Sequence, residues 1–345
     1  MIRARFAKQY PTFSLDVEFE ARPGVTVLYG PSGAGKTLTL DCLAGFAAPD
    51  TGRIFLNDEI LFDAGARVNL PPQRRNCGYV FQDHALFPHM TLFANLAFAA
   101  ERHPRLERHR RVSEMLERFR IAEFAHRLPD QVSGGQKQRC SIARALIAEP
   151  RMLLLDEPAR GLDAPLRNEL YELAGQIRSE YKIPILLVTH NLAECFALGN
   201  FMSVFENGRI LQSGTPRAIY DRPAKPGIAR LLGIANLFEA EVLALDPGRN
   251  TSRILLLGQQ MAAAYLPGRL LGDRVTVSIP AAQIKLRDKA GPNCLAVTLR
   301  RRTEFADTVR LEFENGITAE APLADHAGRK EWFVELPPAS LRVAS

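Results

Sequence analysis

The chain has 345 residues, a formal net charge of +6, 46% hydrophobic and 24% charged residues. That profile excludes a disordered or fibrous chain and allows two domains, or one large one, with a core that needs no disulfide staples. The five cysteines are odd in number and none stand at CxxC spacing, which excludes a zinc ribbon or disulfide framework and favours a reducing compartment.

Residues 1–9 lack the apolar stretch of a secretory signal, and no apolar run approaches the about 20 residues that span a bilayer. A membrane role would need another chain to do the crossing. Residues 2–6, 13–19 and 25–29 alternate apolar and polar and predict strands. A glycine-rich turn follows, then a helix over 36–46 with Leu38, Leu40, Leu43 and Ala44 at helical spacing. Strand character returns over 52–61, and 91–124 predicts helix, broken at Pro104. Within it Arg105, Arg108, Arg110 and Arg111 are interleaved with Glu107, Glu114 and Glu117, the pattern of a solvated helix face, with a partner or lipid-headgroup contact as the alternative. The continuous apolar runs 152–155 and 183–188 predict strands buried on both faces of a mainly parallel sheet, each followed by a helix, 165–181 and 192–198. Residues 203–206 and 208–212 read as a hairpin around Asn207-Gly208.

After Gly233 the character changes. Short strands are predicted at 242–245, 253–257, 274–279, 294–300, 308–313 and 332–336, separated by turns such as Asp246-Pro247-Gly248 and Glu314-Asn315-Gly316. The expectation is an α/β domain over 1–233 followed by a separate all-β domain, a small barrel, over 236–345.

Three motifs carry chemistry. Gly30-Pro31-Ser32-Gly33-Ala34-Gly35-Lys36-Thr37 fits GxxxxGK[ST] between a strand and a helix. Its glycines let backbone N–H groups cradle phosphate, Lys36 reaches the β- and γ-phosphates, and Thr37 offers a hydroxyl to Mg²⁺. Met152-Leu153-Leu154-Leu155-Asp156-Glu157 is an apolar strand ending in two carboxylates. Asp156 suits a Mg²⁺ shell, and Glu157 stands where it can polarise an attacking water. Ser133-Gly134-Gly135-Gln136 opens a helix that runs on through Ile142, Ala143 and Ala145, with Ser133 as N-cap and bare amides that suit an anion.

The order of P-loop, lone Gln, SGGQ, LLLDE and late His resembles the nucleotide-binding domain of ABC ATPases. The resemblance implies that Gln82, in Tyr79-Val80-Phe81-Gln82-Asp83, touches Mg²⁺ and the water and senses a membrane partner. It implies that His190 contacts the γ-phosphate, that Asp163 lies at the nucleotide interface, and that Tyr10 stacks on adenine, with Phe13 competing for that place. It also implies a homodimer in which Ser133, Gly134, Gly135 and Gln136 of one copy close over ATP held by the other. One departure stands out: Arg160 occupies a position where the family usually has a small residue.

The β-domain resembles the OB-like, TOBE/MOP-type regulatory barrel of ABC importer ATPases, through 236–242 and Val277-Ser278-Ile279-Pro280. The run from Leu61-Phe62-Asp63 through Val68-Asn69-Leu70-Pro71-Pro72-Gln73-Arg74-Arg75 to Leu86-Phe87-Pro88-His89 is similar to the molybdate importer ATPase. That likeness implies ATP and Mg²⁺ as cofactors, membrane permease subunits as partners, indirectly a solute-binding protein, and a peripheral place on the cytoplasmic face of the inner membrane. It further implies a possible oxyanion at the C-terminal domain, for which Lys285 and Ser278 are candidates that also read as ordinary surface and strand residues. Sulfate, iron and polyamine importers are the alternatives. A soluble ABC ATPase on nucleic acid is the other class, disfavoured because the aromatics of the β-domain are not interleaved with Arg300-Arg301-Arg302; no nucleic-acid partner is expected.

Overall fold

The strand Met152–Asp156 is buried at every residue, and so is Pro184–Thr189. Such runs are stable only between two layers of packing, and this requirement sets the architecture. The computed structural model describes residues 1–234, 236–305, 307–323 and 329–344. The chain divides into two compact units, Met1–Arg217 and Ala218–Ser345. The sequence places the boundary later, at 233, because the short helices that open the second unit carry no strand pattern.

The first unit is built on an eleven-stranded sheet. Its strands are β1 (Ile2–Tyr10), β2 (Phe13–Ala21), β3 (Gly24–Tyr29), β4 (Thr51–Leu56), β5 (Glu59–Asp63), β6 (Val68–Asn69), β7 (Cys77–Val80), β8 (Met152–Asp156), β9 (Pro184–Thr189), β10 (Phe201–Glu206) and β11 (Arg209–Gly214). The spatial order is β6-β5-β4-β1-β2-β11-β10-β3-β9-β8-β7. From β10 to β7 neighbouring strands run parallel; β1, β2, β4, β5 and β6 pair antiparallel. In an open parallel sheet the loops leaving the carboxyl ends of the strands form the ligand crevice. The helices are α1 (Lys36–Ala44), α2 (Pro72–Arg75), α3 (Leu92–Ala99), α4 (Arg105–Arg118), α5 (Gly134–Ile147), α6 (Ala164–Glu180) and α7 (Leu192–Leu198).

Two local readings need correction. The strand expected over 52–61 is a hairpin, β4 and β5, turned at Asn57 with φ 55°. Asn tolerates this left-handed conformation, and Asn57-Asp58 is the polar break between two apolar stretches. The helix expected to reach residue 46 stops at Ala44, where Gly45 takes φ 87° and its N–H bonds Asp41 O.

Arg75 is fully buried. Its Nε donates to Leu70 O at 2.7 Å, one terminal nitrogen donates to Cys42 O at 2.7 Å and Leu43 O at 2.9 Å, and the other donates to Asn69 Oδ1 at 2.7 Å. The guanidinium thus satisfies carbonyls left open at the end of α1. Substituting Arg75→Met is expected to cost about 3 kcal/mol, because several buried acceptors lose their donor together. Urea unfolding should show a lower midpoint at unchanged slope.

The second unit is led by α8 (Pro216–Asp221), which begins just before it, and α9 (Pro226–Leu231). Its strands are β12 (Asn236–Asp246), β13 (Thr251–Leu256), β14 (Gln259–Ala264), β15 (Arg274–Ile279), β16 (Lys285–Arg287), β17 (Cys294–Glu304), β18 (Thr308–Phe313), β19 (Thr318–Pro322), β20 (Glu331–Glu335) and β21 (Arg342–Ala344). They form two five-stranded sheets, β14-β13-β12-β15-β21 and β16-β20-β17-β18-β19. Val242, Ile254, Val277, Leu311, Phe313 and Val334 share one apolar core between them. The all-β region expected from the sequence is therefore present, as two sheets over a common core.

Candidate functional site

The turn from β3 into α1 is shaped by close contacts. A Cβ on Gly30 would lie 2.3 Å from Phe205 O, and one on Gly35 would lie 2.9 Å from Phe13 and Leu15. Gly35 also takes φ 98°, which excludes a side chain a second time. The turn delivers Lys36, only 5% exposed, with Nζ donating to Gly30 O at 2.9 Å and Pro31 O at 2.7 Å. Burial pushes the Lys36 ammonium below its ordinary pKa, while Glu157 and Asp156 hold it up.

Beside it, Thr37 Oγ1 donates to Asp156 Oδ1 at 3.1 Å. Asp156 ends β8 and is buried. Burial raises its carboxyl pKa, and the Thr37 hydroxyl opposes that shift. A hydroxyl and a carboxylate so close together are hard oxygen donors, the set that Mg²⁺ takes with phosphate and water completing its shell. Among the described residues, no group of three or more His, Cys, Asp or Glu gathers as a metal cage.

Glu157 follows with φ 45°, a left-handed conformation rarely adopted by a residue of this kind and costly outside glycine. Its carboxylate is held on both sides. Oε1 lies 3.1 Å from His190 Nδ1, which leaves the end of β9, and Oε2 lies 3.7 Å from the Arg160 guanidinium. Gln82 leaves the end of β7. Its side-chain amide lies against the Arg160 guanidinium. The structure thus joins Arg160, Glu157 and His190 in one set of polar contacts, with Gln82 beside Arg160, and Thr37 with Asp156 in another.

The remaining sequence candidates lie elsewhere. Ser133 caps α5. Its hydroxyl accepts from Gln136 N at 3.3 Å, and Gln136 Oε1 accepts from Ser133 N at 2.8 Å, a reciprocal capping box. Ser133 and Gly134 are exposed, and Gly135 packs where a Cβ would meet Leu166 at 3.0 Å. Asp163 caps α6, accepting from Leu166 N at 3.0 Å. Tyr10 ends β1 opposite Phe13; it is 39% exposed, with Lys8 Nζ 5.1 Å above its ring. Phe13 packs against the core, so Tyr10 is the freer of the two rings.

Of the anion candidates in the second unit, Ser278 is buried and its hydroxyl donates to Arg342 O at 3.3 Å. That hydroxyl is engaged within the fold, as its reading as an ordinary strand residue expects; Lys285 is exposed at the start of β16.

Sequence reasoning missed His84, whose Nδ1 lies 2.5 Å from Gln138 Oε1 and so ties the loop after Gln82 to α5. An isolated His in a polar loop gives no signal of such a contact. Among the described residues, no helix is long and apolar enough to cross a membrane.

A family profile described as "ABC transporter" matches residues 15–160. Over 285 residues the chain is 34% identical to the molybdenum import ATP-binding protein ModC of Paramagnetospirillum magneticum, covering 83% of this chain and 76% of that one. Over 342 residues it is 35% identical to the spermidine/putrescine import ATP-binding protein PotA of Nitrosospira multiformis, covering 96% of this chain and 92% of that one. A solved structure, a dimeric post-hydrolysis state of the ATP-binding cassette MJ0796 bound to ADP and Pi, has the same fold, with TM-score 0.55 and 23% identity over 63% of this chain and 99% of that one. The P-loop and the two carboxylates at the end of β8 lie within the matched family region, and the chain belongs to the ABC transporter family of ATP-binding proteins.

Proposed function

We propose that this chain is the ATP-hydrolysing subunit of an ABC importer, that it works as a homodimer on membrane permease subunits, and that its cargo is an oxyanion, with molybdate the first choice. The observation that carries the catalytic part is the meeting of Lys36, Thr37, Asp156, Glu157 and His190 at the carboxyl ends of β3, β8 and β9. Lys36 and the amides of 30–35 hold the phosphates of ATP, exchanging the Gly30 and Pro31 carbonyls for phosphate oxygens. Thr37 and Asp156 would hold Mg²⁺, which when bound would neutralise charge on the phosphates. Glu157 orients the attacking water, and His190 braces the Glu157 carboxylate and faces the γ-phosphate. Tyr10 offers its exposed ring to the adenine.

The exposed Ser133-Gly134 turn at the start of α5 is the surface that closes over the phosphates of a second copy. Closure is passed through the Gln82 loop to the permease, on the cytoplasmic face of the inner membrane. Positioning and charge stabilisation carry the chemistry, as in phosphoryl transfer generally.

The molybdenum relative supports the oxyanion, together with the likeness of the run from Leu61 to His89. A polyamine is the second reading, favoured because the spermidine/putrescine relative matches 96% of this chain, the second unit included. The two separate in cells that lack their own molybdate importer ATPase and carry the cognate permease. Restored molybdate uptake on expression of this chain supports the first reading; restored spermidine uptake without molybdate uptake replaces it with the second.

A further inference from the structure

His84 stands two residues after Gln82, and its N–H donates to Phe81 O at 3.0 Å. That bond closes a tight turn with Gln82 and Asp83 at its corners. One end of the turn is fixed by β7, which stops at Val80. The other end has no strand to hold it, and the backbone there is strained: His84 takes φ 66° and Ala85 takes φ 46°. Histidine tolerates the left-handed region better than most residues, but alanine does not. Two such residues in succession persist only where their surroundings hold them.

The helix α5 supplies the hold. Gln138, Ser141 and Arg144 recur at every third residue and so share one face. Gln138 Oε1 lies 2.5 Å from His84 Nδ1, Ser141 Oγ donates to His84 O at 2.9 Å, and Arg144 donates to Ala85 O at 2.8 Å. Gln138 and Ser141 are buried. Gln138 Nε2 has no hydrogen-bond partner among the described residues. A leucine would fill that place without leaving a buried donor unpaired, so packing alone does not account for the amide. Its bond to the imidazole does.

We propose that His84 is a positioning residue for hydrolysis: through Gln138 it anchors the far end of the turn that carries Gln82, and so fixes where the Gln82 amide stands over the nucleotide. The bonds from Ser141 and Arg144 set the path of the backbone, and the bond between His84 and Gln138 sets the angle of the turn against α5. This inference rests on the assignment of Gln82 to the hydrolysis site.

The experiment pairs amide hydrogen exchange of the nucleotide-free protein with steady-state Mg-ATP hydrolysis, both on the full-length chain. In His84→Leu, exchange over residues 82–88 is expected to rise about 10-fold while that over 134–147 is unchanged. The kcat is expected to fall about 3- to 10-fold with KM for ATP changed less than about twofold, the signature of lost positioning and not of lost binding. His84→Asn keeps an N–H donor at the same remove from the backbone and tolerates the same φ, so it should restore both readouts to within about twofold of wild type. Gln138→Leu should lower kcat as much as His84→Leu without lowering the melting temperature. Combining the two should add no further loss, since they act through one bond. Wild-type kcat in His84→Leu overturns the proposal. So does a His84→Asn no better than His84→Leu, which would reduce the ring to packing, or a raised KM at unchanged kcat. If Gln82→Ala itself turns over at the wild-type rate, the assignment of Gln82 has failed and takes the proposal with it; a slow Gln82→Ala beside a wild-type His84→Leu sinks the proposal alone.

Discussion

Replacing Lys36 with alanine is expected to weaken Mg-ATP binding by about 100- to 1,000-fold and to reduce turnover to background, because one preorganised cation facing developing phosphate charge is worth that much. The structure shows why this residue is so exposed to substitution. The ammonium is buried, and its direct neutral partners among the described residues are the carbonyls of Gly30 and Pro31, which hold it in place and do not neutralise it. Burial lowers its pKa, and two carboxylates nearby oppose that shift. Calorimetric titration with Mg-ATP and a phosphate-release assay read the two effects separately. Full ATPase activity in Lys36→Ala would remove the turn at 30–37 from the reaction.

The second large effect is expected from Glu157→Gln. The substitution keeps the shape of the side chain and removes the carboxylate, so hydrolysis should fall by about 100- to 10,000-fold, the range of a positioned base or water-orienting group. ATP binding should persist, since Lys36, Thr37 and Asp156 are untouched. With hydrolysis stopped, ATP should accumulate between two copies, and size-exclusion chromatography with Mg-ATP should move the protein from the monomer to the dimer position. A persistent monomer that still binds ATP would contradict a nucleotide pocket completed by the Ser133 turn of a second copy.

The legible parts of this molecule are those in which local chemistry and burial agree. Residues 152–157 read correctly because a continuous apolar run ending in two acids has few structural uses beside a phosphate-binding turn. β3, β9 and α7 were equally plain, since each is bounded by a glycine, a proline or a capping residue. The strands that escaped reading are short or atypical. β14, Gln259–Ala264, is half alanine and has no β-branched residue; β16 and β21 have three residues each, too few for a period to show.

Tertiary pairings were least legible. Arg75 sits in a polar run and reads as a surface residue, yet it is fully buried, because the acceptors it serves lie on a helix distant in sequence. Arg160 was visible as an unusual residue, but its place beside Gln82 depends on two strand ends being neighbours across the sheet.

The reciprocal bonds between Ser133 and Gln136 have a thermodynamic consequence. In the proposed dimer they fix the turn at the head of α5 before the second copy arrives, so association need not freeze a floppy loop. The entropy ordinarily lost in ordering an interface is then already spent in folding, and a correspondingly larger share of the attraction to nucleotide appears as affinity. Two such pre-ordered rims would meet across bound nucleotide at a smaller entropic cost than two disordered ones.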